Sequence, residues 1–412
     1  MKNFLEIFLG ILTAMGGDVE VGELTFALNS GSKFGLALLP VVLLGTLGII
    51  VYGEMAGRVA AVAKQPVFGL MRERHGLGLG LVTLVCALLV NIMTCTAEVG
   101  GVAVVLKLAG GWSYASCILA ALVFLVVACW LLPFEGIERT FGLLGLFMTV
   151  FIVAAIAMQP DWSDVLASFI PHAPPVKSGS DYVLFAYYAV SLLSAIMLPY
   201  EVYFYSSGGI EDGWKPSDIK LNRFVSITGF TLGSLLCVSF ILIGAQLLRP
   251  LELEVQLPGT AALTAAEKFN KWGLVFALTG MFFTFSGAAI ETAFSGAYSL
   301  AQFFGWPWGK WRRPREAARF ALAWSVIFVL AALIVWSGVD PIAIVEYSIV
   351  FSVVILPLTY LPTLVVARDG IYMKEHVNGR LANVLGTFYL ALITLAAVSA
   401  IPLLLLTHGG KG

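Results

Sequence analysis

The chain is predicted to be an all-α polytopic membrane protein with eleven transmembrane helices, built as a 5+5 inverted repeat in which helices one and six are broken. Two observations predict the class. Of 412 residues, 59% are apolar and only 12% charged, whereas a soluble domain has about a quarter of its residues charged and about half apolar. The apolar residues also fall into runs long enough to cross about 30 Å of hydrocarbon as helix. A third observation predicts the repeat: two of the runs, five apart in order, are interrupted by glycine or proline beside carboxylates.

The runs lie near residues 4–28, 34–58, 78–108, 113–133, 140–158, 182–208, 222–247, 272–303, 317–337, 341–367 and 381–406. Span one reads Thr13-Ala-Met-Gly-Gly-Asp-Val-Glu-Val-Gly-Glu23 at its middle. No small-x-small cleavage site follows it, so a removed leader is not expected. Span two closes on Glu54 and Arg58, an i,i+4 pair. Span three holds one acid, Glu98, in Thr94-Cys-Thr-Ala-Glu-Val-Gly-Gly101. Spans four and five are apolar throughout. Span six reads Ser194-Ala-Ile-Met-Leu-Pro-Tyr-Glu-Val-Tyr203, with Pro199 ahead of Glu201. Span eight carries Glu291 after Ser286-Gly-Ala-Ala-Ile290, where the acid either faces the same cavity or, the favoured reading, packs in a small-residue interface or supports the site from behind. Spans seven and nine are uninterrupted, and span ten has Glu346 near one end. Span eleven lies outside the repeats. Residues 1–412 are therefore read as one transmembrane domain, with repeat one over 4–158, repeat two over 182–367 and an extra helix over 381–406.

Charge excludes several functions. With 24 Lys and Arg against 25 Asp and Glu, the net charge is -1, so no basic field exists to hold nucleic acid. An N-terminus inside the cell places 17 of the 24 cations on inner loops and 7 on outer ones, which predicts a cytoplasmic N-terminus and an outer C-terminus. Arg312, Arg313 and Arg315 with Trp306, Trp308 and Trp311 read as an interfacial anchor. The cysteines, Cys86, Cys95, Cys117, Cys129 and Cys237, all lie in apolar runs without a CxxC pair, so neither disulfides nor a thiolate metal centre is expected. No GxSxG, P-loop or HExxH motif is present, so the chain is read as no enzyme, and uphill transport would draw on an ion gradient.

The informative residues are the acids within the spans. A charge in the bilayer core costs at least about 2.5 kcal/mol, so each buried carboxylate requires a purpose. Helix breaks persist in lipid only where they line protein or a wet cavity. Glu20, Glu23 and Glu201 at the two breaks are read as oxygen ligands to a cation, with Asp18 as an alternative to Glu20; the plainer reading is that they cap the freed N–H groups. Glu98 is read either as a proton site beside the cavity or as an acid bonded to a neighbouring helix. Gly16, Gly17, Gly22 and Pro199 would be the hinges.

These residues resemble the NRAMP (natural resistance-associated macrophage protein) family of divalent metal transporters, which have eleven or twelve spans and a repeat of the leucine-transporter type. Thr94-Cys-Thr-Ala-Glu-Val-Gly-Gly101 is similar to the family's Thr-Asp-Leu-Ala-Glu-Val-Ile-Gly, and Leu198-Pro-Tyr-Glu-Val-Tyr203 to its Met-Pro-His-Asn-Leu-Tyr, with Ser206 matching the serine that follows. Phe134-Glu-Gly-Ile-Glu-Arg139, Pro160-Asp-Trp-Ser-Asp-Val165 and Leu356-Pro357 add weaker likenesses. The resemblance implies that Glu20-Val-Gly-Glu23 stands on the family's Asp-Pro-Gly-Asn metal motif. Glu20 then replaces the ligand aspartate, Glu23 the asparagine and Leu198 the ligand methionine, while Ala195 supplies a carbonyl. Cys95 and Tyr200 replace an aspartate and a histidine, leaving Glu98 as the matched member of the proton route. Loss of the thioether with gain of carboxylates favours a hard cation, Mg²⁺ or Mn²⁺. The expectation is a monomeric secondary transporter of such an ion in a bacterial inner membrane, with H⁺ coupling and no resident cofactor. The alternative is a carrier of a small organic cation or a proton-coupled solute on the same scaffold, and a sensor without flux is a third reading.

Overall fold

The computed structural model describes residues 19–174, 176 and 178–410, all helix, turn or irregular chain. The helices are α1 (Val21–Phe34), α2 (Leu39–Ala63), α3 (Val67–Gly110), α4 (Tyr114–Leu131), α5 (Phe134–Gly145), α6 (Thr149–Ala157), α7 (Trp162–Ala167), α8 (Gly179–Ile196), α9 (Pro199–Glu211), α10 (Ile219–Ile243), α11 (Ala262–Phe304), α12 (Ala318–Trp336), α13 (Pro341–Arg368), α14 (Gly370–Met373) and α15 (Arg380–Leu406). Among the described residues, ten helical stretches are long and apolar enough to cross a membrane. The expected count of eleven is not reached on these residues because only the second half of span one, α1, is described. Gly16, Gly17 and Asp18 lie outside them.

Most breaks follow from the sequence. Spans five and six each consist of two helices: α5 passes through a short tight turn at Leu146–Met148 into α6, and α8 stops before Pro199 opens α9. Span five begins at Phe134, six residues earlier than its apolar run suggests. Glu135, Glu138 and Arg139 mask this start, yet Phe134, Ile137 and Phe141 form a buried face at helical spacing and Pro133 presets the first turn. Span eight likewise begins at Ala262, and Asn270 at φ 51° breaks the helix where the apolar run was expected to begin.

Helix α1 is held from outside its own segment. It crosses the end of α10 where Gly31 and Gly244 face each other, and a Cβ on Gly31 would overlap the Ile241 carbonyl while one on Gly244 would overlap that of Leu28. Only glycine lets two backbones approach so closely. Asn29 then clamps Val255 from both sides, accepting from its N–H at 2.7 Å and donating to its carbonyl at 3.2 Å. Lys33 pairs with Glu254 at 2.5 Å. The opposite face of the domain is tied by the cationic loops: Arg58 donates to the His376 carbonyl at 2.6 Å, Arg74 pairs with Asp369 at 3.2 Å, and Lys64 donates to the Trp214 carbonyl. These are the loops expected on the inner side, and they share one face.

Candidate functional site

The site is built where α1 begins and where α8 gives way to α9. Glu20 has extended backbone, φ -117° and ψ 169°, and its carbonyl accepts from Leu24 N–H at 3.1 Å, so the helix starts immediately after it. Its own carboxylate caps nothing. The Val21 N–H, one of the unpaired donors at the start of α1, donates instead to Glu98 Oε1 of α3 at 2.9 Å. The Glu20 carboxylate lies over the first turn, where Tyr200 of α9 donates to its Oε2 at 3.4 Å. Gly22 is needed beneath it for close approach, since an added Cβ would stand 2.7 Å from Ile349 and 3.2 Å from Glu20 Oε1.

At the second break, Met197 (φ -98°, ψ 66°) and Leu198 (φ -67°, ψ 126°) leave the helix before Pro199 starts the next. Proline has no N–H, so the Ala195 carbonyl four residues earlier lacks its helical donor. Leu198 is buried and brings no polar atom. Met197 is buried as well, but it points away: its sulfur and methyl fill the space over Gly48 of α2, 2.7 and 2.6 Å from where a Cβ would stand. Tyr200 is fixed through its carbonyl, which accepts from Ser295 at 3.2 Å. Glu201, in the first turn of α9, is buried, and its Oε2 has no hydrogen-bond partner among the described residues.

The acids divide into two groups around Tyr200. Glu20 and Glu98 interact electrostatically with each other, as do Glu201 and Glu291, and all four act on Tyr200. Glu23 is fully buried on α1, at helical spacing from Phe26, whose ring packs on Tyr187 and Tyr188 of α8. Among the described residues, no three His, Cys, Asp or Glu side chains converge on one point. Glu20, Glu23 and Glu201 are therefore not gathered around a single centre, and an ion at the break would meet carboxylate together with backbone carbonyl and water.

Other residues fall into place around this site. Glu291 lines a cavity, the first of its two expected surroundings, and its Oε2 has no hydrogen-bond partner among the described residues. Cys95 donates to the Ala289 carbonyl at 3.8 Å, a packing contact between α3 and α11. Glu54 is paired as expected, with Arg58 at 3.1 Å and also with Arg223 at 3.4 Å. One group escaped the sequence: Lys310, buried in the loop after α11, pairs with Asp212 at 3.3 Å and lies 4.9 Å over the Phe134 ring. Burial alone would lower its pKa, but Asp212, Glu138 and Glu211 outweigh this and hold the ammonium above the ordinary lysine value. Tyr298 donates to Glu211 beside it. Nothing in the local sequence pairs residues 98 apart.

The chain matches the model of the family described as natural resistance-associated macrophage protein-like over residues 10–402. The divalent metal cation transporter MntH of Agrobacterium fabrum is 28% identical over 268 residues, covering 64% of this chain and 54% of that protein. MntH 1 of Pseudomonas aeruginosa is 27% identical over 245 residues, 57% and 55% respectively. The chain thus spans about half the length of the curated relatives it matches. In fold it is similar to the manganese transporter of Eremococcus coleocola, with TM-score 0.78 at 19% identity over 96% of this chain and 86% of that one. It also resembles Mhp1, a nucleobase-cation-symport-1 family transporter, with TM-score 0.58 at 15% identity over 98% and 92%. The chain belongs to the natural resistance-associated macrophage protein-like family and shares the fold of these transporters.

Proposed function

We propose that this protein is a secondary transporter of a hard divalent cation, Mg²⁺ or Mn²⁺, working by alternating access between two five-helix repeats. The observation that carries the reading is the Glu20 carboxylate just ahead of α1: it is buried, caps no N–H group and, among the described residues, has Tyr200 as its one hydrogen-bond partner. An uncompensated acid at that depth is an ion ligand by default. Curated relatives named as divalent metal cation transporters support the metal.

In this reading Glu20 and the Ala195 carbonyl bind the ion, with Glu201 and Glu23 on its path and Asp18 as a further acid. Tyr200 orients Glu20. Hardness follows from the donors, because Met197 turns its thioether away, Leu198 offers none, and among the described residues no three acids enclose a centre. Mg²⁺ is bound in this manner, through one or two carboxylates with water retained. Glu98 holds the start of α1 with one oxygen, and its other oxygen, unpartnered among the described residues, would take up a proton, which supports a coupling role for it. Gly22 and Pro199, with Gly16 and Gly17, would let the half-helices tilt. The chain would act as a monomer in a bacterial inner membrane, N-terminus inside.

Uptake of Mn²⁺ and Mg²⁺ into proteoliposomes tests this. The reading expects uptake by the wild type, lost in Glu20→Ala and Glu201→Ala proteins that still elute as folded species. Unchanged uptake in both variants contradicts it.

A further inference from the structure

The stretch that follows α11, from Trp306 to Arg319, carries five cations against one acid, Glu316. Lys310 is spent on Asp212 at 3.3 Å, and the Glu316 carboxylate accepts the Arg313 N–H at 3.3 Å. Arg312, Arg313 and Arg315 are exposed, and among the described residues no carboxylate pairs with their guanidinium groups. Beside them lies an open groove of about 680 Å³, walled by Trp306, Trp308 and Trp311 and rimmed by Arg312. Its one acid, Glu211, already accepts from the Tyr298 hydroxyl. The groove therefore presents positive charge and indole rings.

The groove also opens beside apolar surface. Trp311 packs on Phe134 with ring centroids 5.7 Å apart, which brings the end of α4 alongside, where Leu131 is 75% exposed and Leu132 is exposed as well. On the other side, the exposed Phe304 stacks on Trp306 at 5.1 Å. All of this lies on the face of the cationic loops, since Arg72 donates to the Phe303 carbonyl and Lys64 to the Trp214 carbonyl, two residues from Asp212. Tryptophan and arginine together mark the boundary between hydrocarbon and water.

The lining selects its ligand. Inorganic phosphate would meet the arginines and use none of the apolar surface. A zwitterionic lipid would cover that surface, but its own ammonium is repelled by three arginines. An anionic phospholipid satisfies both, with phosphate on the guanidinium groups and acyl chains on the hydrocarbon.

We propose that this groove is a binding site for an anionic phospholipid of the leaflet at this face, its phosphate held by Arg312, Arg313 and Arg315, its glycerol against the tryptophans and its chains along Leu131 and Phe304. The bound lipid braces the loop whose Lys310 holds Asp212 at the end of α9, the half-helix that Pro199 opens. The site goes beyond the metal reading and uses none of its residues, so either can fail alone.

The test is a lipid titration of the full chain in neutral detergent, read by native mass spectrometry, with phosphatidylglycerol and phosphatidylcholine of the same acyl chains. Phosphatidylglycerol should be retained at least about tenfold more tightly, because each arginine near an anionic lipid strengthens binding about fivefold. The triple variant Arg312→Gln, Arg313→Gln, Arg315→Gln should lose that preference; its side chains are exposed and lack acidic partners, so the fold is retained. The control Lys220→Gln, Lys374→Gln, Arg380→Gln removes the same charge from other exposed inner-face positions and should keep it. Glycerol 3-phosphate at millimolar concentration should not displace the lipid. Equal retention of the two lipids, equal loss in both triple variants, or displacement by glycerol 3-phosphate overturns the proposal.

Discussion

Glu54 and Glu20 are both carboxylates in apolar helices, and the protein treats them in opposite ways. Glu54, near the end of α2, is held by Arg58 at 3.1 Å and Arg223 at 3.4 Å, and Arg58 continues to the His376 carbonyl and Asn378. Glu20, at the centre of the domain, has a single tyrosine hydroxyl at 3.4 Å and no ion pair with any described cation. Lys and Arg are confined to the ends of the spans, where each acid can be neutralised permanently. The middle is left negative, which suits a cation that must come and go. A bound arginine would make the site stable and useless.

Mutations can break this contrast. The largest effect is expected at the paired end: Arg58→Met leaves Glu54 with only the exposed Arg223 and strands two further acceptors, and should lower stability by about 3 kcal/mol, as for a broken buried pair. Thermal unfolding measures it, while ion affinity of the remaining folded protein should be unchanged. Lys310→Met should follow at about 2 kcal/mol by the same assay, because Asp212 is partly solvated and loses less. The centre should respond in affinity instead. Gly22→Ala pushes a methyl into Ile349 and toward Glu20 Oε1, and should weaken Mn²⁺ binding about tenfold, or about 1.4 kcal/mol, as read by calorimetry. Met197→Leu should change it least, within about twofold, since Leu and Met exchange at similar volume and the sulfur packs on Gly48. A tenfold loss of Mn²⁺ or Cd²⁺ binding in that variant would place the thioether at the site after all.

The sequence revealed the class, ten of the spans and the break at Pro199 because lipid leaves few alternatives for a mid-span proline beside a buried acid. It also marked Glu20, Glu98, Tyr200 and Glu201 as neighbours of the breaks, where the structure has them. It could not show that Glu98 rather than Glu20 receives the Val21 N–H, because that bond spans 77 residues. Nor could it show which way Met197 and Leu198 face, since one residue of rotation at the break decides it. The Lys310 cluster was hidden for a similar reason, since it joins α5, the end of α9 and the loop after α11. For Glu291 the sequence left a cavity and a packed interface both open, because small-residue spacing looks the same whether a helix or a void lies opposite. The early start of α5 was obscured by charges on its exposed side.

The central claim is that the unpaired Glu20 is the ion's carboxylate. Calorimetric binding of Mn²⁺, Mg²⁺ and Ca²⁺ to the purified protein and to Glu20→Ala tests it most directly. The account predicts binding of at least one of these ions to the wild type and its loss in the variant. Equal binding by both proteins, or none by the wild type, would contradict it.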